Sequence, residues 1–366
     1  MQKSTDSALY WIGLSSIPGV GRVTFRKLVK HFASPERVLK AERSELADVE
    51  GLPGKVIEGI RSCSWLEYAE QQLKYAREAG AWIILADSGQ FPAVLNATPD
   101  PPLFLYGRGD LRQDDCIAIV GTRKPTFYGL AVTKRISAEL AASGLTVVSG
   151  MARGIDTQAH RGALEARGRT IAVLGCGIDV VYPPENRGLM QDISRSGAVI
   201  TENAMGTQPE AGYFPARNRI ISGLSRGTVI VEATQDSGSL ITADYTREQG
   251  RQLFAVPGNV GSPASRGANS LIKQGALLIE SSDDILRALG RNSPAIPAKT
   301  AAREAPACGS DEEQAFRCIT GEPKHIDRIL SETRMTAGIL GGVLITLELK
   351  GLVKQLPGKF FVREDT

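Results

Sequence analysis

Several segments of this 366-residue sequence put cations, hydroxyls and small residues where an anion could be held. In AIVGTRKPTFYG, residues 118 to 129, an apolar run breaks abruptly into Gly121-Thr122-Arg123-Lys124. Gly121 permits a close backbone turn and Thr122 offers a hydroxyl. Arg123 presents a planar donor fork matched to phosphate oxygens, with Lys124 beside it. SGMARGID, residues 149 to 156, adds Gly150 and Arg153, and GCGIDVVYPPEN, residues 175 to 186, is another glycine-bearing loop. DSGSLITA sets Gly238 and Ser239 at the start of an expected helix, where free amides face an anion. FPARNRIISGLS gathers Phe214, Arg217, Asn218 and Arg219: an aromatic face, two cations and an amide. That mixture suits stacked bases and a tracked backbone, so it favours single-stranded nucleic acid over a lone nucleotide.

Each piece alone has a purely structural alternative. A glycine-rich loop can be only a tight turn, and Arg217 or Arg219 can pair with Glu202 or Glu232. Asp156 reads as the N-cap of a helix from Thr157, and His160 sits at i+4, placed to hydrogen-bond that cap. Convergence on one rim is what favours a site. Other chemistries are excluded by absence. No G-x-x-x-x-G-K-[ST] occurs, and Gly175-Cys176-Gly177 lacks the third glycine of a dinucleotide fingerprint. Asp156, Asp179, Glu202, Glu232 and Asp236 fall on different loops without the spacing of a two-metal nuclease. The five cysteines form no C-x-x-C pair, which removes zinc and a disulfide framework. No cofactor, metal or catalytic residue is expected.

The elements that must position these loops follow from the apolar pattern. Short strands are expected at 82–85, 116–120, 146–149, 170–174, 199–201, 228–231, 253–256 and 277–279. Helices are expected at 129–142, 157–166, 187–194, 218–224, 240–249 and 283–289. Strands apolar throughout and separated by helices imply a parallel sheet covered on both faces, an α/β doubly wound Rossmann-like core. Ligands of such a sheet bind beyond the carboxyl ends of its strands, where these loops lie. Residues 1–80 read as a helical domain. Pro18-Gly19-Val20-Gly21 and a weaker echo at Val49 to Ile60 suggest paired helix-hairpin-helix turns of a SAM-like kind, which either hold a DNA phosphate or serve packing alone. The core domain spans 81–290. Residues 291–310, rich in Pro and Ala, form a linker, and 311–366 read as three helices and a hairpin, a winged-helix domain. Its third helix, TAGILGGVLITLELK, has one Lys, one Glu and otherwise small or apolar residues where a major-groove reader shows basic and amide side chains, so a protein-contact or spacing role is expected. Net charge is only +3, so affinity for nucleic acid must come from a local cluster. No leader and no 18-residue apolar window occur, and a soluble, cytoplasmic protein with no membrane partner is expected.

The succession AIVGTR, VVSGMARGIDTQAH, AVLGCGIDVVYP, FPARNRIISGLSRGTVIVEA, SGSLITA, FAVPG and LIKQGA resembles the DNA-processing protein A family, also called Smf, of bacterial natural transformation. The resemblance runs through about 91–289 and implies a protein without known turnover. Such a protein binds single-stranded DNA, helps displace single-strand binding protein and loads the RecA recombinase. It implies a basic DNA pocket lined by Gly121, Thr122, Arg123, Phe214, Arg217, Asn218 and Arg219. It also implies a homodimer that places Leu271, Ile272 and Leu278 near the partner subunit. Relatives often carry a basic residue just after Tyr-Pro in the third loop, where this chain has Pro184-Glu185. Weaker affinity, or a substitute cation in Arg153 or Arg187, is the expected consequence. The enzyme alternative is a Rossmann-type nucleotide phosphoribohydrolase, but its P-G-G-x-G-T-x-x-E signature is missing: residues 235–240 read QDSGSL.

Overall fold

In a computed structural model, residues 2–62, 64–291, 309–320 and 323–363 are described, and the expected linker falls almost wholly outside them. One compact unit comprises Met1–Lys124 and Thr133–Gly290, the other Pro125–Val132 and Arg291–Thr366. The first unit is built on nine strands: β1 (Trp82–Leu85), β2 (Phe104–Gly109), β3 (Cys116–Val120), β4 (Thr146–Ser149), β5 (Thr170–Val173), β6 (Ala198–Thr201), β7 (Gly227–Ile230), β8 (Gln252–Ala255) and β9 (Leu277–Leu278). Their order is β1-β2-β6-β5-β4-β3-β7-β8-β9. The seven strands from β6 to β9 run parallel, and the chain reverses direction across the sheet between β3 and β7. Strands β3 to β7 are buried along their whole length, as continuous apolar runs require when helices cover both faces.

The α/β doubly wound class holds, with two differences from the sequence reading. β1 is antiparallel to β2, and β2 is antiparallel to β6, so this edge is mixed rather than parallel. β2 itself was not expected, because Gly107 and Gly109 look like turn residues. Gly107 is in the strand because the Trp82 ring lies across it: a Cβ there would come within 2.2 Å of the indole.

Six helices precede the sheet: Gln2–Ser16, Arg22–Phe32, Pro35–Lys40, Arg43–Ala47, Gly54–Arg61 and Ser64–Glu78. They bury Trp11, Phe25, Leu28, Val56 and Ile60 in one core with Leu85, Phe104 and Tyr106 of the sheet and Met190 and Ile193 of the helix Arg187–Ser196. The opposite face of the sheet carries the helices Tyr213–Leu224, Gly238–Glu248 and Arg266–Lys273 over Val120, Val148, Ile171, Ile200 and Ile230.

Within the second unit, helices Ser310–Cys318, Ile326–Thr333 and Ala337–Leu349 pack with β10 (Lys324–His325), β11 (Val353–Leu356) and β12 (Phe360–Arg363). The small sheet is antiparallel in the order β10-β12-β11, a winged helix whose core includes Ile329, Leu340, Leu344, Val353 and Phe361. Ile345 and Leu349 on its third helix are exposed.

Candidate nucleic-acid interface

The carboxyl ends of β3, β4 and β5 lie side by side, so the loops that follow them meet at one rim. They are joined by backbone. The Thr122 amide donates to the Glu232 carbonyl at 2.8 Å, and the Ile155 amide donates to the Thr122 carbonyl at 3.2 Å. The side-chain amide of Asn186, itself buried, donates to the Met151 carbonyl at 3.0 Å and to Thr157 Oγ1 at 2.8 Å. It thereby ties the loop after β5 to the loop after β4.

A depression of about 360 Å³ opens at this rim, lined by Arg123, Gly150, Arg153, Gly175, Tyr182 and Phe214 among others. Phe214 is its aromatic floor. Arg123 lies over that ring with its guanidinium carbon 5.2 Å from the centroid, and the Tyr182 ring stands 5.5 Å away at 38°. A planar cation held against an aromatic face, with a second ring beside it, offers both a stacking surface for a base and donors for a phosphate. Gly175 is what lets Phe214 sit so low, since a Cβ there would lie 2.7 Å from the ring. Arg123 and Lys124 are exposed, and neither forms an ion pair among the described residues.

Phe214, Arg217, Asn218 and Arg219 all belong to one helix, which begins at Tyr213 rather than at Asn218. Pro215 does not block it, because the first turn of a helix has no use for the missing amide hydrogen. This places both arginines inside the helix, and both are buried. Arg217 is 4% exposed and donates to the Gly150 carbonyl at 2.7 Å and to the Val173 carbonyl. Gly150 has no room for a side chain, because a Cβ would come within 2.5 Å of that guanidinium. Burial pulls the Arg217 pKa down to about 10, with the Asp156 carboxylate opposing the shift. Arg219, also 4% exposed, meets Glu202 at 2.5 Å and Asp100 at 3.2 Å. Arg22, at the end of the Pro18-Gly19-Val20-Gly21 turn, joins the same carboxylates, with Asp100 at 2.6 Å and Glu202 at 3.4 Å. The first hairpin turn is therefore linked, through shared carboxylates, to Arg219 on the helix that carries Phe214.

Asp156 is not a helix cap. The helix Ile155–Glu165 is capped at Gly154, and the buried Asp156 carboxylate instead accepts from the amides of Gly150 at 3.1 Å and Ala152 at 3.4 Å. Its pKa is raised, chiefly by burial. His160 does not reach it either. The Thr170 hydroxyl donates to the Val147 carbonyl, so His160 Nδ1–H donates to Thr170 Oγ1 at 2.7 Å, and the buried Nε2 has no partner. Burial drives its pKa down to about 3.

The remaining expected residues lie elsewhere. Asn218 donates to the Gly238 carbonyl at 3.3 Å, so Gly238 and Ser239 neighbour the site helix without lining the depression, and the Ser239 amide is taken by Ser237 Oγ. Arg153 at the rim is paired with Glu185, which follows the Tyr182-Pro183-Pro184 segment. Leu271 is 4% exposed within the core, Ile272 is half-buried, and Leu278 is exposed on the edge strand β9. Asn186, Gly175 and Tyr182 were missed as individual residues, although the Tyr182-Pro183 pair is a legible signal in its loop.

Residues 82–290, the span that carries this rim, match the family model for DNA recombination-mediator protein A. The chain belongs to that family. Residues 297–359 match the DprA winged helix domain, and residues 12–62 match the SAM-like helix-hairpin-helix tandem. The chain is similar to Protein Smf of Synechocystis sp., at 35% identity over 97% of this chain and 98% of that protein. It is similar to DNA processing protein A (DprA) from Streptococcus pneumoniae, whose X-ray structure matches with a TM-score of 0.68 and 32% identity over 76% of this chain and 97% of that one. It is also similar to DNA processing protein A from Helicobacter pylori, in a structure describing its single-stranded DNA binding mode. That match has a TM-score of 0.52 and 31% identity over 57% of this chain and 95% of that one. Among the described residues, no helix of this family member is long and apolar enough to cross a membrane.

Proposed function

We propose that this chain binds single-stranded DNA at the depression and acts there as a recombination mediator, without turnover. The observation that carries the reading is the exposed Arg123 stacked on Phe214, with the Tyr182 ring alongside. Unpaired Lys124 extends the same loop, and the likeness to the Helicobacter pylori protein supports the same ligand. In this reading, Gly121, Thr122, Arg123, Lys124 and Phe214 contact the strand, while Gly150, Arg217, Asn218 and Arg219 shape the wall behind them. Arg153, Gly238 and Ser239 stand at its margins.

The mediator role extends the reading to partners: displacement of single-strand binding protein, protection of incoming strands and loading of RecA in the cytoplasm during DNA uptake. A homodimer formed along the β9 edge is part of the proposal. Leu277 and Leu278 expose 44% and 49% of their surface there, next to backbone that only β8 pairs. The winged helix, with apolar residues on its third helix, serves protein contact rather than groove reading.

The test is fluorescence anisotropy of a labelled oligothymidine across a salt series, with matching duplex as competitor. Tight binding that weakens steeply with salt and resists the duplex is expected. Equal binding of both forms, or none, would overturn the proposal.

A further inference from the structure

A second cavity, enclosing about 370 Å³ of open space, lies on the sheet face that also carries the N-terminal helices. Its walls are set by register. Arg108 of β2 pairs directly with Val199 of β6, and the helix Arg187–Ser196 turns Arg187, Met190 and Gln191 toward them from one helical face. Val181 closes the remaining side. The floor of Val181, Met190 and Val199 is apolar.

Its two charged residues are both arginines, and both lack partners among the described residues. The Nε of Arg108 is fully buried without a hydrogen bond, and Arg187 is exposed with no ion pair. At the first depression Arg153 is ion-paired, and Arg217 and Arg219 are engaged behind it, while Arg123 has no ion pair among the described residues. Of the two carboxylates on the loop after β5, Glu185 is held by Arg153 and Asp179 accepts from the Gly206 amide. Two unneutralised guanidinium groups over an apolar floor, with the Gln191 amide as a neutral donor, form a site for a phosphate with an apolar or aromatic body attached.

The position of the cavity identifies that phosphate. Tyr182 and Pro183 line the first depression and Val181 lines this one, so a single loop separates the two. We propose that the second cavity is a phosphate subsite that takes the DNA strand as it passes this loop from the Arg123–Phe214 platform, with Arg108 and Arg187 as its donors. The inference rests on the single-stranded DNA reading above.

The experiment compares oligothymidines of about six and about twenty nucleotides, the shorter able to occupy only the platform. In the R108Q/R187Q double variant the short oligomer should bind as in the wild type. The long one should weaken roughly tenfold, and its log–log salt dependence should become shallower by about 1.4, the value for two phosphate contacts on a single strand. Unchanged affinity and slope for the long oligomer would overturn the inference. Wild-type protein that binds neither oligomer would instead sink the DNA reading itself. Thymidine monophosphate serves as the probe for a free nucleotide: if the double variant loses it while long-strand binding is unaltered, the strand path is wrong. Because Arg108 is packed into the sheet, R187E, at an exposed position, provides the independent check. It too must weaken the long oligomer and spare the short one.

Discussion

Arg217 is the residue at which burial and DNA contact predict opposite outcomes. Arg217→Met keeps the aliphatic stem and removes the guanidinium. The Gly150 and Val173 carbonyls lose their donor, and Asp156 loses its positive neighbour while keeping the amides of Gly150 and Ala152. Removing a buried charge that satisfies two carbonyls and offsets a neighbouring carboxylate costs on the order of 3–5 kcal/mol. At roughly 2–4 °C per kcal/mol for a unit of this size, the melting temperature should fall by about 6–20 °C. Arg123→Gln is the contrasting variant. Its side chain is exposed and rests on Phe214 with no ion pair among the described residues, so stability should change by less than about 0.5 kcal/mol while DNA affinity drops. Calorimetry of both variants, and of Arg217→Met/Asp156→Asn, reads the difference directly. The double variant should be less destabilised than the sum of its parts by about 1–3 kcal/mol, because Asp156 no longer carries an unpaired charge. An Arg217→Met protein with an unchanged melting temperature and an affinity loss matching that of Arg123→Gln would refute the reasoning. The guanidinium would then be meeting the strand instead of bracing the wall.

Other outcomes follow from the same geometry. Phe214→Ala should remove a stacking surface worth about 1–3 kcal/mol per base, seen as weaker oligothymidine binding in anisotropy with a near-normal melting temperature. Glu185→Gln should release Arg153 to the strand, and titration across salt should show higher affinity and a slope steeper by about 0.7. His160 should make the protein acid-sensitive. Its folded pKa of about 3 is below its unfolded value near 6.5, so between them the unfolded chain binds the extra proton and stability falls as pH falls. Denaturant titration should show a loss of about 2 kcal/mol between pH 7 and pH 5 that is absent from His160→Leu, with Asp156, which acts in the opposite sense, common to both proteins. Deleting residues 311–366 should leave affinity for single strands in anisotropy little changed.

The parallel core was legible because β3 is apolar at every position and β4 to β7 carry short apolar runs flanked only by Thr, Ser or Gly, the pattern of a sheet covered on both faces. β2 was not, because Gly107 in a strand makes sense only with the Trp82 ring above it, a contact between residues far apart in sequence. The start of the site helix was misplaced for a local reason. Pro215 reads as a breaker, and only its position in the first turn makes it harmless. Nothing near Arg217 and Arg219 in sequence says that they point inward. Their partners are Gly150, Val173, Asp100 and Glu202, supplied by other loops once the sheet has formed.

The same distinction explains why overall charge said so little about the ligand. A net charge of +3 counts Arg22, Arg217 and Arg219 equally with Arg123 and Lys124, although the first three are committed to carboxylates and carbonyls inside the protein. What a phosphate meets is the set of cations with no internal partner. At the rim these are Arg123 and Lys124, and across the Val181–Pro183 loop they are Arg108 and Arg187. Arg153, which lines the first depression, is taken out of the set by a single residue, Glu185. A chain of nearly balanced composition can thus hold a local excess of free cations, and a single carboxylate such as Glu185 changes how many of them a phosphate backbone could use.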